Sequence, residues 1–239
     1  MTWSILARDL SDGTGRLGVA IASRFFAVGA LCVHTRAGVG AIATQALLNP
    51  MYGSQGLALL TAGHDAAAVV AALTAADAGR DQRQVHVLPW LGAAAVHTGT
   101  ECVGWCGHLV QEHISLAGNM LAGPPVLQAS AQAFADAKGQ TLAQRLIAAL
   151  LAGDAAGGDK RGRQSAALRI QGAEDYPELD LRVDDHDSPF TELQRLHAKS
   201  LERFQPFATC LPRRAVPAGE LDRGRIEATI EHFNRKTPP

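Results

Sequence analysis

The order of predicted elements gives an α+β fold of four layers, helix–sheet–sheet–helix. Three observations carry this. Strands and helices come in separate blocks (strands, two helices, strands, two helices, a strand) instead of alternating, which argues against a doubly wound parallel sheet. The first four strands are joined by short connections, which implies that they form one antiparallel sheet, since parallel pairing needs longer crossovers. Between Ala37 and Ala76 the sole charged side chain is Asp65, so this stretch must be covered on both sides or it would hold a wide apolar surface against water.

The first strand starts at Thr2, where Trp3, Ile5 and Ala7 alternate with Thr2, Ser4 and Leu6. That period of two fits a half-buried strand. Ser11–Arg16 is turn chemistry, and Leu17–Ser23 is the second strand. Two more strands are expected at Ala30–Thr35 and Val39–Thr44. Asn49 then caps a helix with Pro50 at its first position, running to about Thr61 before Gly63. Asp65 caps a second helix over Ala66–Ala76. Strands return at Gln84–Leu88, Ala93–His97 and His113–Ala117. Pro124-Pro125 opens a third helix that reaches Lys138 and stops at Gly139, and Thr141 caps a fourth, to about Ala152. A glycine-rich loop leads to a last strand, Gln164–Gln171. The compact core is therefore expected at residues 2–171, with a charged, proline-rich peripheral extension after Gly172.

Composition narrows the function classes. The 239 residues carry 22 Lys plus Arg against 23 Asp plus Glu, a net charge of −1, so the basic excess of a non-specific nucleic-acid binder is missing. With 47% apolar and 19% charged residues the chain can bury a core. No apolar run approaches the ~20 residues of a spanning helix, and Arg8 and Asp9 interrupt any secretory pattern at the N-terminus. Four cysteines (Cys32, Cys102, Cys106, Cys210) are too few for a disulfide scaffold. A reduced, cytoplasmic protein without membrane or nucleic-acid partners is expected.

Five segments could carry chemistry. Thr2 begins the first strand, directly behind Met1. Removal of Met1 would put a free α-amine, of ordinary pKa about 7.7–8.0, on the residue that bears the hydroxyl. Such an amine can serve as the base for its own nucleophile. Ser23 and Arg24 end the second strand beside it, just before Phe25-Phe26. Gln45 and Asn49 lie at a strand-to-helix junction where donors could hold an oxyanion, although Asn49 also serves simply as a helix cap. Asn119 sits in a turn between Gly118 and Gly123, as an oxyanion donor or a plain turn residue. The loop from Ala156 to Arg163 places Asp159, Lys160, Arg161 and Arg163 among glycines, where a ligand could approach the backbone. Cys102, Cys106 and His108, with His97 and His113 nearby, do not match a familiar zinc spacing, so neither metal nor cofactor is expected.

The segments MTWSILARD, SRFFAVGA, GVGAIATQALLNPMYG, GNMLAGP, AGGDKRGRQSAAL and DLRVDDH, in this order over residues 1–197, resemble the bacterial domain-of-unknown-function family 1028 (DUF1028). That resemblance implies an N-terminal-nucleophile (Ntn) hydrolase fold, the αββα sandwich. It also divides the chain into a domain at 1–197 and a partly helical extension at 198–239. A more distant likeness is to proteasome β-type subunits, which start with a threonine nucleophile and end their second strand in Ser-Arg, as Ser23-Arg24 do here. Ala22 stands where those subunits have an acidic residue, and no lysine matches their third-strand lysine, Arg36 being the nearest cation. Their oxyanion glycine falls near Thr44-Gln45, and their aspartate followed by Ser-Gly-Gly is similar to Asp159 followed by Gln164-Ser165.

Three readings follow. In the first, Thr2 attacks a small amide or acylated amino compound, Asn119 and backbone N–H groups near Gln45 steady the oxyanion, and Arg24, Arg36 or Lys160 binds an anionic group. In the second, a catalytically inactive scaffold clamps an anionic metabolite with Arg24, Asp159, Lys160 and Arg163. In the third, the chain is an assembly subunit, a homo-oligomer and most simply a dimer. The tail offers an apolar stripe of Leu193, Leu196, Leu201 and Phe204, expected to dock on its own core, and DLRVDDH is assigned a local ion pair or the start of a helix.

Overall fold

A computed structural model describes residues 2–11 and 13–236. The chain runs β1 (Thr2–Asp9), β2 (Arg16–Ser23), α1 (Val28–Cys32), β3 (Val33–Arg36), β4 (Gly40–Ala46), α2 (Met51–Thr61), α3 (Ala66–Ala75), β5 (Arg83–Pro89), β6 (Ala95–Thr98), β7 (Trp105–Gln111) and β8 (Ile114–Leu121). It continues through α4 (Pro125–Asp136), α5 (Leu142–Ala155), β9 (Ser165–Gln171), β10 (Leu179–Val183), α6 (Pro189–Glu202), α7 (Phe204–Ala208) and α8 (Arg223–Lys236). The strands form two antiparallel sheets, ordered β10-β9-β2-β1-β8-β7 and β3-β4-β5-β6. The αββα layering expected from element order is present.

Strand parity builds the layers. On β1, Trp3, Ile5 and Ala7 enter an apolar cluster with Leu146 and Leu150 of α5 and Val126 and Phe134 of α4. Leu6 points the other way and meets Leu17, Val19, Ile21, Ala41, Ala43 and Leu88 between the sheets. A third cluster joins Ile42, Val85 and Val87 to Tyr52, Leu57, Val69 and Leu73 beneath α2 and α3. Both faces of β1 are thus buried, which corrects the half-buried reading. Burying Leu146 or Leu150 fully contributes on the order of 1.5–3 kcal/mol each. Close approach of α5 to β2 needs Gly18, where a Cβ would collide with Leu146.

Four local expectations are corrected. The first four strands do not share a sheet, because the chain crosses from one sheet to the other after Ser23. Residues 30–32, the start of the strand expected at Ala30–Thr35, belong instead to α1 (Val28–Cys32). Ala27 turns the chain with φ 51°, and Gly29 lies against Ala167, so this turn of helix fits where a strand would not. Strand β7 was missed because it is a half-exposed edge with Gly107 and His108 in it. The compact core does not stop at residue 171: β10 extends the larger sheet, and Phe190 and Leu193 of α6 join the first cluster. Leu196 packs against that cluster as well, whereas Phe204 stays exposed. No helix among the described residues is long and apolar enough to cross a membrane.

Candidate active site

At one end of the layer between the sheets the same strand parity brings in polar residues. Thr2 and Ser4 lie four and two places before Leu6 on β1 and share its face. Ser23 follows Ile21 on β2 in the same way. Gln45 continues from Ala43, and Gln84 and His86 precede Leu88. Ser115 and Asn119 supply β8. All eight are buried. Thr2 sits on the central strand, opposite Ser23 on one side and Asn119 on the other.

These groups satisfy one another across the two sheets. The Thr2 and Ser23 hydroxyls are 2.9 Å apart. The Ser4 hydroxyl donates to Gln45 Oε1 at 2.7 Å, and Gln45 Nε2 donates to Gln84 Oε1 at 2.7 Å. Asn119 Nδ2 donates to Gln84 Oε1 at 3.3 Å and to the Thr2 carbonyl at 3.4 Å. Gln84 Nε2 in turn donates to Thr98 Oγ1 and to the carbonyls of Gly107 and Gly118. Gln84 thus ties both sheets to the residue that holds Thr2.

Proton counting fixes His86. Ser4 has given its one hydroxyl hydrogen to Gln45, so His86 Nε2, 2.8 Å away, donates to it. Nδ1 then accepts from Ser115 Oγ at 2.9 Å. The imidazole is neutral, and burial, with a smaller contribution from His108, pushes its pKa down to about 3. Because the folded value lies below the unfolded one (about 6.5), the stabilisation is complete above about pH 6.5 and is lost as pH falls toward 3. Between pH 7.5 and 4.5 this should cost about 2–3 kcal/mol. Urea unfolding of wild type is expected to show that loss, and His86→Gln a shallower pH slope. An identical slope in both proteins would contradict the assignment.

A cavity of about 350 Å³ opens over this polar end. Its floor is formed by the buried Thr2, Ser23, Gln45 and Asn119, and its mouth by the exposed Phe25, Leu47, Glu101, Val103 and Arg161. Cys32 and Cys102 also line it. Burial pushes the Cys32 thiol up to about 12 and raises Cys102 too, so neither is a thiolate near neutral pH. Among the described residues, the three non-glycine positions with left-handed backbone are Ala27, Ala46 and Met120. Ala46 and Met120 line the cavity and Ala27 adjoins its lining residue Val28. Backbone strain gathers in this way where function requires a fixed shape.

The expected site residues divide between several places. Thr2, Ser23, Gln45 and Asn119 come together on the cavity floor. Arg24, Asp159 and Arg163 line a separate open cleft of about 770 Å³ beside it. There the Asp159 carboxylate accepts from the Arg24 and Arg161 backbone N–H groups and pairs with the Arg161 guanidinium at 3.3 Å, so it clamps its own loop. Arg163 pairs with Asp154 at 2.7 Å. Lys160 is exposed and lines neither space. Arg36 lies outside both and donates to Thr61, because β3 ends at the far side of the smaller sheet. Asn49 acts as the local cap: Oδ1 accepts from Met51 N–H, and Nδ2 donates to Asp77. Asp77 gathers hydrogen bonds from Asn49, Tyr52, Arg83 and the Gly79 backbone, which hold its carboxyl well below the usual carboxylate range. The cation that does line the cavity is Arg161. The Leu47 N–H, near the expected oxyanion position, is already bonded to the Gln82 carbonyl. Within DLRVDDH, Arg182 pairs with Asp184 at 2.7 Å, and His186 Nδ1 accepts from Ser188 N–H at the start of α6. No three His, Cys, Asp or Glu side chains among the described residues converge to hold a metal. The expectation that Met1 is removed falls outside the described residues.

Comparison with known proteins gives the family. The model of a family described as a family of unknown function, DUF1028, matches residues 2–193. The chain belongs to that family. A DUF1028 protein of known structure, SPO2555 from Silicibacter pomeroyi, is 33% identical and superposes with a TM-score of 0.85, covering 93% of this chain and 96% of its own. Anbu, described as an ancestral β-subunit, from Yersinia bercovieri, is 12% identical, with a TM-score of 0.39 over 83% of this chain and 94% of its own. No curated protein matches. In this DUF1028 chain, sequence reading missed Ser4, Gln84, His86 and Ser115. Their signal was the repetition of polar residues on one parity of strands that are otherwise apolar.

Proposed function

We propose that this chain is an N-terminal-nucleophile hydrolase that cleaves the amide of a small N-acyl compound through an acyl-enzyme on Thr2. The observation that carries this reading is the Thr2 hydroxyl, on the floor of the inter-sheet cavity, 2.9 Å from Ser23 Oγ. The family resemblance to Ntn hydrolases supports it. Once the Met1–Thr2 bond is cleaved, the Thr2 α-amine takes the proton of its own hydroxyl as Oγ adds to the substrate carbonyl. Collapse of the adduct breaks the C–N bond, and the amine passes that proton to the departing nitrogen. Water then adds to the ester, its proton returns through the amine to Thr2 Oγ, and the acid leaves.

Gln45 has one N–H hydrogen bonded to Gln84 and a second with no acceptor among the described residues, which suits an oxyanion donor. Asn119 is better cast as a positioning residue, since its amide is directed to the Thr2 carbonyl and Gln84. Arg161, steadied by Asp159, offers an anionic substrate group a cation at the mouth. Intact-mass analysis of active protein is expected to give a chain lighter by one methionine residue. Active material in which every chain retains Met1 would overturn the mechanism.

Two observations favour a binding-only protein. Among the described residues no lysine lines the cavity, and the Leu47 N–H is already occupied. On that reading, ligand-induced stabilisation would persist with no turnover.

A further inference from the structure

We propose that the mouth of the Thr2 cavity is a collar for an apolar acyl chain, so that the amide bound there carries such a chain next to its carbonyl. The carbonyl's position rests on the hydrolase reading above. Phe25, Leu47 and Val103 line the cavity, yet they are 55%, 57% and 65% exposed. They come from three separate connections, β2–α1, β4–α2 and β6–β7, and converge on one opening. A soluble surface normally scatters such side chains, and their convergence over a concave site marks a ligand contact.

The collar is built, not loose. Ser165 Oγ donates to the Phe25 carbonyl at 2.5 Å and accepts from Val28 N–H at 3.2 Å. The Leu47 N–H donates to the Gln82 carbonyl, and Arg83 donates to the Leu47 carbonyl. The Val103 carbonyl accepts from Met120 N–H at 3.1 Å. Each exposed apolar side chain is therefore held by a pinned backbone, and the left-handed residues Ala27, Ala46 and Met120 lie within two places of Phe25 and Leu47 or bond Val103 directly. Pre-organisation of this kind lowers the ordering cost of binding. The polar floor suits the amide, and the apolar part of the mouth, as distinct from Glu101 and Arg161, suits a chain that leads from it.

The test is calorimetric binding to full-length Thr2→Ala protein, so that no turnover intervenes, using N-acetyl-, N-butanoyl-, N-hexanoyl- and N-octanoylglycine. Affinity should rise about three- to four-fold for each added methylene. Leu47→Asn in the same background, which adds no charge beside Arg161, should weaken the octanoyl compound at least tenfold and the acetyl compound much less. Val103→Ser, a milder change, should act in the same direction. Affinity independent of chain length overturns the proposal. So does a chain-length response confined to N-acetylalkylamines titrated alongside, or a Leu47→Asn effect on self-association alone. Wild-type protein that binds the series in graded fashion but hydrolyses none of it supports the collar and sinks the hydrolase reading instead.

Discussion

Thr2→Ala is expected to lower amide turnover by at least about 10⁴-fold, the scale seen when a nucleophile is removed from a covalent mechanism. The fold should survive. The change deletes one methyl and one hydroxyl, whose bond to Ser23 is worth about 1 kcal/mol, and the β1 ladder to β2 and β8 is a backbone matter. Thr2→Ser keeps the oxygen and the amine and should retain measurable turnover. Ser23→Ala removes only the partner hydroxyl and should cost far less than Thr2→Ala. Equal turnover in wild type and Thr2→Ala, measured by release of the amine, would show that another group does the chemistry. With Cys32 and Cys102 held as thiols, few other candidates line the cavity.

Gln84→Leu should cost about 2–5 kcal/mol of stability, read as a lower urea midpoint at unchanged slope. Gln84 is fully buried, and its carbonyl receives both Gln45 and Asn119 while its amide serves Thr98, Gly107 and Gly118. Leucine matches the volume but takes away the acceptor of the buried Gln45 and Asn119 donors, at about 1–3 kcal/mol each. Turnover should fall as well, because Asn119 loses the contact that aims it at the Thr2 carbonyl. A Gln84→Leu protein as stable as wild type would mean that the sheets are held by their apolar end alone.

The layer order could be read from the chain because it depends on blocks of periodicity, which survive errors at individual boundaries. The failures occurred where local chemistry was weak. Val28–Cys32 has no capping side chain to announce a helix. In β10, Asp180 and Arg182 face outward on an edge strand, so it resembled a charged tail. At the site, Thr2, Ser23, Gln45 and Asn119 were legible because they lie at or near strand ends beside turns, where polar residues attract notice. Gln84 and His86 were not, since a polar residue inside a strand usually faces water, and only the second sheet turns that face inward. Arg36 was credited as the cation nearest to the third-strand lysine of proteasome β-type subunits, and Lys160 as a charge in a glycine-rich loop. Sequence cannot say that β3 ends away from Thr2, or that Arg161, not its neighbour, reaches the cavity.

The most direct measurement is peptide mass mapping after brief exposure of wild-type protein to p-nitrophenyl hexanoate and acid quenching. An activated ester should acylate the nucleophile faster than water clears it. The account requires a hexanoyl increment on a peptide that begins at Thr2, missing from Thr2→Ala. Label on Ser23 or Cys102 with Thr2 untouched, or labelled peptides that still begin at Met1, would contradict it.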